Sequence, residues 1–153
     1  MHPHHAGKDG GHGRVEQQER AERISGQGRF GREHRLRSPL DFERVRRRGR
    51  RVNGTYLALS YLKQEPEAAE APLRVGFSVG KRVGKAVRRN LVKRRLRESL
   101  RRKLAALTPG WDLVLSARAG AAEADYVALD AQLRELLTRA RLWRPEGQQG
   151  RAV

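Results

Sequence analysis

Between Leu73 and Gly80 the chain reads LRVGFSVG, and apolar and small or polar residues alternate without a break. Leu73, Val75, Phe77 and Val79 fall on one face, and Arg74, Gly76, Ser78 and Gly80 on the other, which predicts a half-buried strand. TYLALSYL (55–62) is aromatic-rich and extended in character, and WDLVLSAR (111–118) is another strand entered from Pro109-Gly110. The period then changes. From about Ala86 to Leu107, Val92, Leu96, Leu100, Leu104 and Leu107 gather on one helical stripe. After Asp125, a capping residue, Tyr126, Leu129, Leu133, Leu136, Leu137 and Ala140 repeat at helical spacing. A shorter helix opens at Ser38-Pro39-Leu40-Asp41, where Ser38 caps, Pro39 suits the first helical position and Asp41 completes a capping box. Gly49 is its stop. The order is helix, two or three strands, helix, strand, helix.

These elements occupy residues 29–144, large enough for a single core. Residues 1–28 are rich in Gly, His and polar groups and are expected to be a disordered extension, with 145–153 a disordered tail. QEPEAAEAP (64–72) is an acidic loop and an unsuitable face for nucleic acid.

Charge changes this picture most. The chain has 34 Lys and Arg against 17 Asp and Glu, a net +17. The first 28 residues sum to zero, so the excess lies on the folded part and not on an arm. It peaks in GKRVGKAVRRNLVKRRLRESLRRK (80–103), where 12 of 24 residues are basic and Glu98 is the sole acid. Opposite the apolar stripe, Asn90, Arg94, Arg97 and Arg101 form a row flanked by Arg88, Arg95 and Arg102. Like charges one turn apart repel, and one acid cannot neutralise the row. Guanidinium forks match phosphate oxygens, so a nucleic acid is the expected partner. Leu91 breaks the pattern by projecting near the basic face.

Other chemistry is poorly served. GKRVGKA lacks the spacing and hydroxyl of a Walker loop, although a turn feeding a helix N-terminus can hold one phosphate. All five histidines lie in the first 34 residues, and Asp112, Glu123 and Asp125 read as strand-end and capping groups. Neither a side-chain catalytic set nor a protein metal site is expected. Without cysteine there is no disulfide framework or thiolate site. No apolar run suggests a membrane span or signal peptide, so no membrane partner and a cytoplasmic location are expected.

The run from Arg74-Val75-Gly76-Phe77-Ser78-Val79 through Lys81-Arg82-Val83-Gly84-Lys85-Ala86-Val87 to Arg88-Arg89-Asn90-Leu91-Val92-Lys93-Arg94-Arg95-Leu96-Arg97-Glu98 resembles the bacterial ribonuclease P protein subunit. RLRSPLDFERV (35–45) and GWDLVLSARA (110–119) extend the likeness over nearly all of 35–142. The resemblance implies an α/β (α+β) two-layer sandwich, α-β-β-β-α-β-α, with a left-handed crossover, ribosomal protein S5 domain 2-like. It also implies that a large RNA, with magnesium ions, cleaves precursor tRNA to give its mature 5′ end. The partners implied are that ribonuclease P RNA and precursor tRNA, with no obligate protein partner, and Mg2+ is bound chiefly by the RNA. The RNA-binding set is then Lys81, Arg82 and Lys85 in the turn, with Arg88, Arg89, Asn90, Lys93, Arg94, Arg97 and Arg101 on the helix. The 5′ leader would lie in a cleft of Phe42, Arg46, Tyr56, Arg74 and Ser78.

Two positions depart from the family pattern. Leu91 stands where the Arg-Asn-Arg signature has its second arginine, and Arg46 stands where the first helix usually offers a second aromatic. The competing readings are a small structural RNA-binding protein of ribosomal type without a role in cleavage, and an architectural DNA binder. The latter lacks any recognisable docking motif.

Overall fold

The computed structural model describes residues 30–65 and 71–143. The expected extension 1–28, the tail 145–153 and the middle of the acidic loop lie outside the described residues. Helix α1 (Pro39–Arg48) leads into strands β1 (Arg50–Asn53), β2 (Leu57–Lys63) and β3 (Arg74–Ser78). Helix α2 (Ala86–Arg101), strand β4 (Trp111–Ala117) and helix α3 (Tyr126–Arg139) follow. The four strands stand in the order β1-β2-β4-β3. β2 is antiparallel to both its neighbours, and β3 lies parallel to β4, so α2 is the crossover between two parallel strands. This is the expected element order and mixed class.

The period-2 pattern sorts the two faces. Leu57, Leu59, Leu113, Leu115 and Val75 point to one side, where they meet Val92, Leu96 and Leu100 of α2 and Leu129, Leu133, Leu136 and Leu137 of α3. Each such leucine, fully buried, contributes about 1.5–3 kcal/mol. On the other face α1 lies across the sheet, closing a smaller cluster of Leu36, Val45 and Val114 with Phe42 and Leu62 at its margin.

The caps largely follow the sequence. Ser38 Oγ accepts from the Leu40 amide at 3.2 Å, and Asp125 Oδ1 accepts from Ala128 at 2.8 Å. Asp41 departs from the expected box, because its carboxylate accepts from Arg44 Nη2 at 3.4 Å. α2 is also shorter than its apolar stripe. It ends at Arg101, and Leu104 and Ala106 belong to a separate 3-10 turn that still delivers Leu107 to the core. No Gly or Pro marks that stop. Tertiary bonds accompany it: Lys103 Nζ donates to the Ser99 carbonyl (3.2 Å), to Ser99 Oγ (2.9 Å) and to Asp130 of α3.

A buried ion cluster fixes α1 over the sheet. The Asp112 side chain, 1% exposed, accepts from Arg74 Nε (2.9 Å) and Nη2 (2.7 Å), from Arg44 Nη2 (2.7 Å) and from Gln64 Nε2 (3.0 Å). Burial pushes its carboxyl up, but hydrogen bonds from the two arginines outweigh that and hold it below the usual carboxylate range. Arg44 thereby sets the height and rotation of α1, and so the place of Phe42 half a turn earlier.

Candidate nucleic-acid interface

The basic face of α2 divides into occupied and open cations. Arg88 pairs with Glu123 at 2.9 Å, and Arg95 Nη1 donates to the Ala124 carbonyl at 2.8 Å. Glu98 takes both Arg101, through two bonds, and Arg102, at 3.0 Å. Hydrogen bonds from these two arginines therefore hold the Glu98 carboxyl low despite partial burial. Arg94 and Asn90 are exposed, Lys93, Arg89 and Arg97 are half-buried, and no protein partner neutralises these four cations among the described residues. Leu91 is half-buried rather than exposed, a correction to the helical wheel.

Before α2, Lys81 and Arg82 lie exposed on a 3-10 turn, and Lys85 sits at the N-cap without a side-chain cap bond. Gly84 makes this turn at φ 138°, in the region that favours glycine, with Arg88 packed against it. The three cations therefore surround a helix start whose amides are not capped by a side chain.

At the β3 edge the α2 row meets α1. The chain before α1 runs beside β3, bridging Arg35 to Val75, with the Leu36 amide bonded to the Val75 carbonyl at 3.0 Å. Arg35 and Arg37 are carried by this segment to a hollow of about 260 Å³ that also receives Phe42, Lys93 and Arg97. Burial, and then repulsion from Arg97 and Arg37, lowers the affinity of Arg35 for its proton, and burial does the same at Arg97. Arg97 Nε is buried without a hydrogen-bond partner among the described residues. Such crowding is unfavourable alone and is relieved by an anion. Arg35 and Arg37 were absent from the sequence-based set. Their signal was the alternation Arg35-Leu36-Arg37, whose middle residue is buried.

The expected leader cleft is assembled in part. Phe42 lies on Gly76, where a methyl group would come within 2.3 Å of its ring. The glycine thus serves close approach of Phe42, and not a bulge or a ligand. Arg46 lies 5.9 Å from the Phe42 ring centre and reaches Ser116 Oγ at 3.5 Å, and Ser116 is the register partner of Ser78. Phe42, Arg46 and Ser78 therefore share one side of α1. Arg74 and Tyr56 do not join them. Arg74 is held on Asp112 at the other end of the strand, because a buried carboxylate needs its cation. Tyr56 packs with the larger core, its ring 3.8 Å from where a methyl group on Gly120 would lie, while its amide is fastened to Gln132 of α3. Gly76→Ala should displace Phe42 and cost about 1–3 kcal/mol by overpacking. A denaturant midpoint equal to that of the wild type would show that the ring is not seated there.

Comparison with known proteins bears on what this surface is for. The family model described as Ribonuclease P matches residues 30–141. The chain belongs to the ribonuclease P protein family. The ribonuclease P protein component of Thermobifida fusca is 44% identical over 119 residues, covering 75% of this chain and 80% of that protein. Its counterpart from Picosynechococcus sp. is 38% identical over 112 residues, covering 72% and 93%. The solved Staphylococcus aureus RNase P protein superposes with a TM-score of 0.66 at 25% identity, over 72% of this chain and 98% of that one. The Thermotoga maritima RNase P protein gives 0.61 at 30% identity, over 69% and 96%. The α-β-β-β-α-β-α arrangement is thus that of the ribonuclease P protein fold.

Among the described residues no group of three or more His, Cys, Asp or Glu side chains converges as a metal site. The carboxylates of Asp112 and Glu98 are instead engaged by arginine. His34, the one histidine in the described part, directs Nδ1 to the Leu73 carbonyl at 2.9 Å and stacks on Phe30. No helix of the described residues is long and apolar enough to cross a membrane.

Proposed function

We propose that this chain acts as the protein subunit of a ribonuclease P ribonucleoprotein in the cytoplasm. It binds the catalytic RNA through the open cations of α2 and its preceding turn, and holds the 5′ leader of precursor tRNA beside Phe42 and Arg46. Endonucleolytic removal of the leader then gives the mature 5′ end. In this reading the RNA carries the chemistry, with magnesium held chiefly by that RNA. The observation that carries the reading is the hollow at the β3 edge, where the α1 aromatic and the α2 cations converge around one open space. An aromatic ring supports an unstacked base at about 1–3 kcal/mol, and the guanidinium groups beside it match the phosphates that flank that base. With Arg46 in place of a second aromatic, the hold on the leader shifts toward charge.

The test is cleavage of 5′-labelled precursor tRNA at near-physiological magnesium, by protein alone, by bacterial ribonuclease P RNA alone, and by both. Cleavage at the mature 5′ end in the mixture only is the expected result. No gain over RNA alone would sink the subunit role and leave a structural RNA binder of ribosomal type.

A further inference from the structure

The β1 edge of the sheet carries a second concentration of positive charge, which the function proposed above does not use. A hollow of about 740 Å³ opens there between the end of α1, β1 and the end of α3. Arg48, Arg50, Lys63, Arg139 and Arg141 line it, and no acid among the described residues does. Arg139 is engaged, donating to the Asn53 carbonyl at 3.0 Å and lying 3.9 Å from Glu135. The side chains of the other four have no ionic or hydrogen-bond partner among the described residues. The floor is aromatic: the rings of buried Tyr61 and half-exposed Trp111 lie 5.9 Å apart at 50°.

Helix dipoles account for only part of this cluster. Arg48, Arg139 and Arg141 stand at helix C-termini, where cations are favoured. Arg50 and Lys63 stand on strands and gain nothing from a dipole. Arg141 is also opposed by its backbone. The α3 end closes as a Schellman turn, with the Arg141 amide on Thr138 at 3.0 Å and the Leu142 amide on Leu137 at 2.9 Å. This places Arg141 at φ 62°, where glycine is the ordinary occupant. The chain therefore holds an arginine where both conformation and neighbouring charge disfavour it. An anion in the hollow offsets both.

We propose that the β1 edge is a second RNA-contacting surface, which grips the phosphodiester backbone of an RNA segment other than the one on α2. The sheet order puts β1 and β3 at opposite edges, three strand spacings or roughly 14 Å apart, so the two surfaces are separate. The proposal rests on RNA being the partner. A lipid surface fits the hollow less well, because it is concave and the most exposed large apolar residues, Leu40, Val87 and Val127, do not line it.

The test measures the salt dependence of binding between the full chain and a bacterial ribonuclease P RNA transcript. Arg50→Ser/Lys63→Ser/Arg141→Gly is compared with a charge-matched control, Arg32→Ser/Arg118→Ser/Arg134→Ser, and with Arg94→Ala on α2. Each lost phosphate contact lowers the slope of log affinity against log salt by roughly 0.7–0.9. The patch variant is expected to lose about two to three in slope, and the control less than half of that. Arg141→Gly alone should raise the melting temperature while lowering the slope by about one. A patch variant equal to the control overturns the second surface and leaves the α2 reading intact, provided Arg94→Ala still lowers the slope. An Arg141→Gly chain that melts higher with an unchanged slope removes Arg141 from it. A wild-type chain that does not bind the transcript overturns both readings.

Discussion

Asp112→Asn is expected to destabilise the domain by about 3 kcal/mol at pH 7, the lower end of the ~3–5 kcal/mol seen when one partner of a buried ion pair is removed. The lower end applies because the stranded cations are not fully buried: the Arg44 and Arg74 side chains are 30% and 39% exposed and can recover some hydration. An asparagine would also turn an amide NH2 toward at least one of three donors. Against a total stability of ~5–15 kcal/mol, the loss should lower the melting temperature by roughly 10 °C. The effect has a pH signature. The folded carboxyl titrates below its unfolded value, so the stabilisation is fully present above about pH 4 and is lost as pH falls through the folded pKa. Wild-type and variant stability curves should therefore converge in acid and separate toward neutrality. A constant gap from pH 7 to pH 2 would assign the loss to packing rather than to ionisation. Because Arg44 positions α1, the variant should also loosen Phe42 on Gly76.

Asp112 shows where sequence reading stops. The strand WDLVLSAR was legible, and so was the place of Asp112 at its start. Its partners were not, because Arg44 and Arg74 lie 68 and 38 residues away and converge on it only when β3 pairs with β4 and α1 crosses their outer face. The family resemblance placed Arg74 in the leader cleft instead. The same reason hid Arg35 and Arg37, which reach the hollow through a bridge to the β3 edge. β1 was allowed for only as an unassigned third strand, since RRVN offers only one apolar residue to a face. By contrast, caps and periodic stripes are local, and Ser38, Asp125, Val92, Leu96, Leu129 and Leu133 stand where their spacing put them. The end of α2 fell between these cases: the stripe continues to Leu107, but the Lys103–Ser99–Asp130 contacts to α3 accompany an earlier stop. Charge on α2 was legible in amount and not in distribution. Which arginines are occupied depends on Glu123 and Ala124, beyond the helix.

That distribution sharpens the largest functional prediction. Arg94→Ala/Arg97→Ala removes one exposed and one half-buried cation from the row, neither with a carboxylate partner among the described residues. If each makes one phosphate contact, about 1.5 kcal/mol per charge-assisted bond gives a loss of RNA affinity on the order of 100-fold. The salt slope should fall by roughly two units or slightly less. Folding should respond far less than in the Asp112 case. Removing Arg97 forfeits the packing of its stem, but it also removes a buried Nε without a partner among the described residues and the repulsion felt by Arg35. These offset, and the double variant should melt within a few degrees of the wild type. Occupied cations give the contrast. Arg101→Ala, which breaks two bonds to Glu98, should change the slope by less than Arg94→Ala does. Equal slopes for the wild type and the double variant would mean that the open row is merely solvated, and that the RNA is held elsewhere on the protein.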